Sequence, residues 1–187
     1  RIERDSFAKI VSTVPGAICS FQLAKDDASR FPFASPRLED MFGIPAQVLE
    51  RDASPLFERI HPDDVDEVRN AVIESARTMS QYNRAYRYRH PTRGEIWIEV
   101  HSIPSEEPDG SILWYGFASD VTDRIRAEKT LRDNERLLRL VTANARVGLV
   151  VIGKGYRHLF ANEAYCEILH LEPGDVVGRP VPELLPH

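Results

Sequence analysis

Phe31-Pro32-Phe33-Ala34-Ser35-Pro36-Arg37-Leu38-Glu39-Asp40-Met41-Phe42-Gly43-Ile44 holds a change of structural period. Phe31 to Ala34 reads as the end of a short strand. Ser35 is then a helix N-cap candidate with Pro36 at the first helical position, and Leu38, Met41 and Phe42 share one face before Gly43 stops the turn. Upstream, Ala17 to Leu23 reads as a strand joined to this one by a polar turn from Lys25 to Ser29. Before it, Ile2, Phe7, Ile10, Val11 and Val14 are spaced as a short amphipathic helix, which Val14-Pro15-Gly16 ends. Downstream comes a cluster of short helices. The longest begins at His61-Pro62-Asp63-Asp64, where Pro62 presets the first turn and Asp63, Asp64 and Asp66 complement the helix dipole; Val65, Val68, Val72 and Ile73 supply its buried stripe.

Three strands are then expected. In Tyr82 to Arg89, Tyr82, Arg84, Tyr86 and Tyr88 alternate with Asn83, Ala85, Arg87 and Arg89. In the next, Ile96, Ile98 and Val100 alternate with Glu95, Trp97, Glu99 and His101. Asp109-Gly110 marks a turn, and Ile112 to Ala118 is apolar enough to predict a central strand buried on both faces. Two strands, several helices and three strands make an α+β architecture with an antiparallel sheet.

The 187 residues carry 24 Lys and Arg against 29 Asp and Glu, a formal net charge of −5. No apolar run approaches the ~18 residues that a membrane span requires, no signal peptide is recognisable, and the acidity offers no continuous surface for nucleic acid. Cys19 and Cys166 have no paired spacing, so neither a disulfide framework nor a zinc knuckle is expected, and a reducing, cytoplasmic setting fits. Residues 123–146 carry 7 positive and 4 negative charges and are the one net basic stretch, flanked by two acidic ones. The first residue, Arg1, is not Met, which suggests a piece of a longer protein.

The order of elements and the motifs Phe33-Ala34-Ser35-Pro36, Met41-Phe42-Gly43-Ile44, His61-Pro62-Asp63-Asp64, Tyr86-Arg87, Arg93-Gly94-Glu95-Ile96-Trp97, Gly116 and Asp120-Val121-Thr122 resemble a PAS domain with a PAC motif in its later half, of the PAS fold-3 type. The resemblance covers residues 15–122. It implies a five-stranded antiparallel sheet in the order 2-1-5-4-3 with short helices over one face.

Beyond it, Leu131, Asn134, Leu138, Val141 and Ala145 are spaced three, four, three, four, a short heptad seam. Asp-Val-Thr followed by a basic amphipathic helix resembles the linker between tandem PAS modules. Self-association through Leu131, Leu138 and Val141 is therefore expected, against the alternative that the helix packs on its own domain. The last segment looks like the first again. Gly148-Leu149-Val150-Val151-Ile152 parallels Gly16-Ala17-Ile18-Cys19, Phe160-Ala161-Asn162-Glu163 parallels Phe33-Ala34-Ser35-Pro36, and Ile168-Leu169 parallels Met41-Phe42. The organisation is thus an N-terminal helix at 1–14, a PAS/PAC domain at 15–122, a linker helix at 123–146 and the N-terminal part of a second PAS domain at 147–187. So short a piece buries little surface, so ordering by another chain, by the first domain or by strand exchange is expected.

His61 with Asp63, Asp64 and Asp66 invites a metal reading, but the helix dipole accounts for the acids, and no metal is expected. PAS domains as a family bind haem, flavins or small ligands between sheet and helices, or bind nothing. A cysteine-adduct flavin would need a Cys on the helix after the second strand, and haem a His on the long helix; both are missing, so both are disfavoured and the cofactor stays unknown. His90 and His101 read as surface residues. A metabolite pocket lined by Phe33, Phe42, Phe57, Tyr86 and Tyr88, with Arg87 or Arg84 facing an anion, competes with the reading that these aromatics are core and the arginines pair with acids. Trp97 faces away from Ile96 and Ile98, where Phe7 and Ile10 could cover it. No nucleophile–base–acid set, P-loop or dinucleotide fingerprint appears, so the fragment itself is not expected to be an enzyme.

The expected function is a sensory module of a multidomain signal-transduction protein. It would relay ligand or partner state from its last strand through Asp120, Val121 and Thr122 and a dimeric linker to a downstream output domain in the same chain, such as a two-component histidine kinase or a GGDEF diguanylate cyclase. The alternative is a ligand-free dimerisation or docking module.

Overall fold

A computed structural model describes residues 16–145 and 147–184. The lead-in helix expected at 1–14, with Phe7 and Ile10, lies outside the described residues. The chain divides into two units, Arg1–Ile125 and Arg126–His187.

In the first unit, β1 (Ala17–Leu23) and β2 (Ser29–Ala34) lead into α1 (Pro36–Phe42), α2 (Ala46–Leu49), α3 (Ser54–Phe57) and α4 (Pro62–Thr78). Then come β3 (Tyr82–His90), β4 (Gly94–Glu106) and β5 (Ile112–Asp120). The sheet order is β2-β1-β5-β4-β3, antiparallel throughout. The core lies between one face of this sheet and the helices. Ala17, Cys19 and Phe31 meet Leu38, Phe42, Leu49, Leu56 and Val68 there, with Tyr86, Tyr88, Ile96, Ile98 and Ala118.

Local chemistry sets the element ends. Gly43 adopts φ 62° and its N–H closes α1 on Glu39 O at 2.7 Å; a Cβ there would meet Pro91 Cγ at 2.4 Å, so the position demands Gly. His61 caps α4 by accepting the Asp63 N–H on Nδ1 at 3.3 Å. Ser35, expected to cap α1, makes no capping bond; its Oγ instead accepts the Ile18 N–H at 3.0 Å, tying the helix start back to β1. The outer edge of β3 is covered by the approach to α4: His61 N–H donates to Arg87 O at 2.9 Å and Arg89 N–H to Arg59 O at 2.8 Å, which satisfies an edge that would otherwise be open.

Three burial expectations need correction. Within α4, Val68 is buried and Val65 and Val72 are partly so, but Ile73 is exposed and Ser75 takes the buried place near the helix end. β5 is not buried on both faces. Trp114 and Ala118 point inward, whereas Tyr115 is 56% exposed and Phe117 also faces outward. Apolar residues on both sides of the strand hid its alternation. His90 is likewise no surface residue: it is buried, and its Nδ1 accepts the N–H groups of Thr92 and Arg93, both at 3.2 Å, to build the β3–β4 turn.

β5 passes through Val121 into α5 (Thr122–Asn144), which runs on into the second unit. There β6 (Val150–Ile152) pairs antiparallel with β7 (His158–Ala161), and α6 (Glu163–Leu169), α7 (Pro173–Val176) and α8 (Val181–Leu184) follow. A small core of Ala161, Cys166 and Val176 holds it.

The internal repeat is visible in hydrogen bonds. Ser35 N–H donates to Ile18 O at 2.8 Å, and Ile18 N–H returns to the Ser35 hydroxyl. Asn162 N–H donates to Leu149 O at 3.0 Å, and Leu149 N–H returns to Asn162 Oδ1 at 2.7 Å. Leu149 thus occupies the place of Ile18, one residue off the alignment made on the glycines.

Candidate functional site

The first unit encloses a cavity of about 70 Å3 between sheet and helices. Strand register explains why space is left there. Cys19 pairs with Gly116, Gly116 with Ser102 and Ser102 with Tyr82, so one inward row crosses four strands on a thiol, a bare backbone, a hydroxymethyl and a phenol. Small residues in that row, with Ala118 beside it, leave a gap that α1, α3 and α4 roof over with Phe42, Leu56, Phe57, Val68 and Val72. Phe21, Phe31 and Trp114 close one end. Phe21 packs against Phe31, Phe57 and Trp114 with ring centroids 5.3, 5.6 and 5.5 Å apart. Trp114 is fixed by donating Nε1–H to Ser75 Oγ at 2.9 Å, and Ser75 in turn donates to Ser80 O at 2.6 Å.

Of the residues predicted from sequence, Phe42, Phe57 and Tyr86 line this cavity; Phe33, Tyr88 and Arg87 do not. Phe33 lies opposite Ser20 and is exposed. Tyr88 is fully buried in the core beside the cavity, its hydroxyl donating to Phe42 O at 3.0 Å and its ring edge-on to Phe42. Arg87 turns to the start of α4, where Asp64 takes its Nε at 3.0 Å as well as Nη2, and Asp63 takes Nη2 at 3.3 Å. These bonds from Arg87 hold the Asp64 carboxyl below its ordinary value. Arg84 is exposed, 3.8 Å from Glu67.

No charged side chain is therefore among the lining residues. Burial pushes the thiol of Cys19 up to about 12 and the phenol of Tyr82 to about 12, and raises Tyr86 well above its ordinary value, so all three are neutral at physiological pH. Cys19, Phe21, Phe31, Tyr82, Ser102 and Trp114 went unread as lining. Once the 2-1-5-4-3 order is in hand, the register alone groups Cys19, Gly116, Ser102 and Tyr82.

A polar cluster joins the cavity roof to the helix that leaves the domain. Asp120 accepts from Arg93 Nη1 at 2.8 Å and from the Thr122 N–H at 3.0 Å, and also accepts a hydrogen bond from the Thr122 hydroxyl. Arg93 Nη2 donates to Met41 O at 3.2 Å, next to Phe42. Thr122 Oγ1 accepts the Trp97 N–H at 2.9 Å, the buried Val121 donates its N–H to Trp97 O at 2.9 Å, and Arg124 donates to Glu99 at 3.0 Å. Asp120, Val121 and Thr122 are thus brought together as one fastening of α5 to β4 and α1. Further along α5, Leu131, Leu138 and Val141 are all exposed, Leu138 by 64%.

No helix among the described residues is long and apolar enough to cross a membrane, and they contain no cluster of three or more potential metal ligands. A family model described as PAS fold matches residues 31–118, and one described as PAS domain matches residues 136–187. An uncharacterized protein, y4lL, of Sinorhizobium fredii is 30% identical over 96 residues, 51% of this chain but only 12% of that protein's length. A sensory box histidine kinase/response regulator from Burkholderia thailandensis is similar in structure with a TM-score of 0.54 and 27% identity, over 71% of this chain and 97% of that one. An RNA-binding light-oxygen-voltage receptor has the same fold at a TM-score of 0.54, with 20% identity over 71% of this chain and 37% of that one.

Proposed function

The chain belongs to the PAS family, in tandem, with its second copy truncated, and from that premise we propose that it is the sensory part of a multidomain signal-transduction protein. In this reading residues 15–122 are the sensor, 123–146 the signalling linker and 147–187 the start of a second module. The observation that carries it is the unbroken chain of contacts from the cavity to α5: Phe42 on the roof, Met41 O beside it, Arg93, Asp120, then Thr122 at the helix start. A molecule that displaces Phe42 moves Met41 O, and Arg93 transmits the change to the carboxylate that holds the first turn of α5. For a switch, α5 must have two discrete packings, and the ligand must favour one of them.

The exposed apolar positions Leu131, Leu138 and Val141 support a linker that works as a homodimer, each helix using another copy as its partner. The likeness to a sensory box histidine kinase/response regulator supports a kinase-type output domain downstream, with a diguanylate cyclase as the other class. In this reading the chain acts without catalysis. Two buried, unpaired thiols, Cys19 and Cys166, support a reducing, cytoplasmic location.

A ligand-free dimerisation or docking module is favoured instead by the size of the cavity, about 70 Å3 against the roughly 300–1,000 Å3 of ordinary ligand pockets. The native mass and visible spectrum of the purified protein separate the two. Extra mass or colour supports the sensor; a clean protein mass that no added compound changes, together with concentration-dependent dimerisation, supports the scaffold and sinks the sensory reading.

A further inference from the structure

Tyr86 is only 5% exposed, it lines the cavity, and its hydroxyl makes no hydrogen bond among the described residues. Tyr82, four residues earlier on the same inward face of β3, is also buried and lines the same space. The contrast with Tyr88 is informative: on the same face and fully buried, it donates a hydrogen bond to Phe42 O. Folded proteins leave few buried polar groups unpaired, because an unmade hydrogen bond in a low-dielectric interior is costly. A hydroxyl that opens into a cavity and finds no protein partner is suited to a guest.

The walls define the guest. They are aromatic and aliphatic, their side-chain polar groups are hydroxyls, a thiol and the Trp114 indole N–H already bonded to Ser75, and no Lys, Arg, Asp, Glu or His is among the lining residues, so a buried ionic group would find no counter-charge. The volume of about 70 Å3 is roughly half that of the engineered cavity, about 150 Å3, that admits benzene. We propose that the cavity takes a small uncharged organic molecule, smaller than benzene, with an apolar body and one hydroxyl or carbonyl group that forms a hydrogen bond with Tyr86. The proposal rests on the sensory reading above and narrows it: carboxylates, amines and bulky chromophores are rejected, and the ligand class is that of short alcohols, ketones and aldehydes.

The test uses the full chain labelled with 15N. The side-chain indole N–H of Trp114 lies at the cavity, bonded to Ser75, and that of Trp97 lies on the outer side of the sheet as an internal control. Titration with 1-propanol should shift the Trp114 indole signal and leave that of Trp97 in place, while propionate and propylammonium at equal concentration should shift neither. Tyr86→Phe should weaken 1-propanol binding about three- to tenfold, the worth of one hydrogen bond. Because no protein group among the described residues bonds that hydroxyl, the variant should melt no lower than its parent, which separates lost binding from lost folding.

An unmoved Trp114 signal with 1-propanol, equal binding of propionate or propylammonium, or unchanged affinity in Tyr86→Phe overturns the proposal. Binding of an ionic probe leaves the sensory reading standing. Failure of all three probes, combined with a clean protein mass, removes both.

Discussion

Asp120 carries more of the proposed output than any other side chain, and its chemistry predicts a pH dependence. Burial pushes its carboxyl up, but the hydrogen bonds from Thr122 and Arg93 outweigh burial and hold it below its ordinary value; Asp64 is lowered by its bonds to Arg87. A carboxylate whose folded value lies below its unfolded one, about 3.9 for Asp, adds stability that is complete above about pH 5 and is lost as pH falls through the folded value. Urea midpoints should therefore drop as pH falls below about 4, and Asp120→Asn should flatten part of that drop; an unaltered pH profile in Asp120→Asn would refute the assignment. Thr122 is nearly buried, and removing its hydroxyl strands the Trp97 N–H. Thr122→Ala should cost about 1–3 kcal/mol in urea denaturation while Thr122→Ser costs less than half of that. The Asp-Val-Thr motif was legible from its family resemblance. Its partner was not: nothing in the spacing of Arg93 announces that its guanidinium spans from Asp120 to Met41 O, 52 residues away along the chain.

Among the elements, α5 gives the sharpest test. Its charged residues and exposed leucines suit a helix whose stability comes from a partner, since isolated helices draw little from propensity alone. Leu138→Asp places a charge on the seam without touching the cavity or the Asp120 cluster. Sedimentation velocity should show a dimer in the parent and a monomer in the variant, with thermal melting of the sheet unchanged; a dimer that persists in the variant removes the seam from this role. The elements were mostly readable because turns and caps punctuate them: Pro36, Gly43 and Pro62 sit at ends that the structure also has. β5 was misread for a physical reason. Trp114 and Ala118 face the core while Tyr115 and Phe117 face outward, and a strand apolar on both sides gives no alternation from which to tell them apart. The candidate pocket suffered from the same limit. Aromatic side chains were picked out by type, whereas the cavity exists because of small ones, Cys19, Gly116, Ser102 and Ala118, whose shared location depends on register across four strands.

At the scale of the whole molecule, the repeat tells more than either copy alone. Ser35 and Asn162 hold the same station, each exchanging two hydrogen bonds with the start of a strand, but Asn162 has an amide where Ser35 has a hydroxyl. The added donor reaches further. Asn162 Nδ2 donates to Thr142 O at 3.1 Å and to Val147 O at 3.0 Å, while Oδ1 accepts from Leu149 N–H and caps α6 through the Tyr165 N–H at 3.0 Å. One side chain therefore ties the last turns of the linker helix, the connection after it, β6 and α6 into a single cooperative unit, a job for which the small core of Ala161, Cys166 and Val176 supplies little surface. Asn162→Ala should accordingly lower hydrogen-exchange protection across residues 149–166 and at the end of α5, with no change in the sheet of the first unit. Asn162→Ser, which restores the shorter reach found at Ser35, should recover the β6 and α6 amides but not the end of α5. If both variants exchange alike at the end of α5 and the parent shows no protection there, the linker is not clamped to the second module by Asn162, and any signal must pass by another contact.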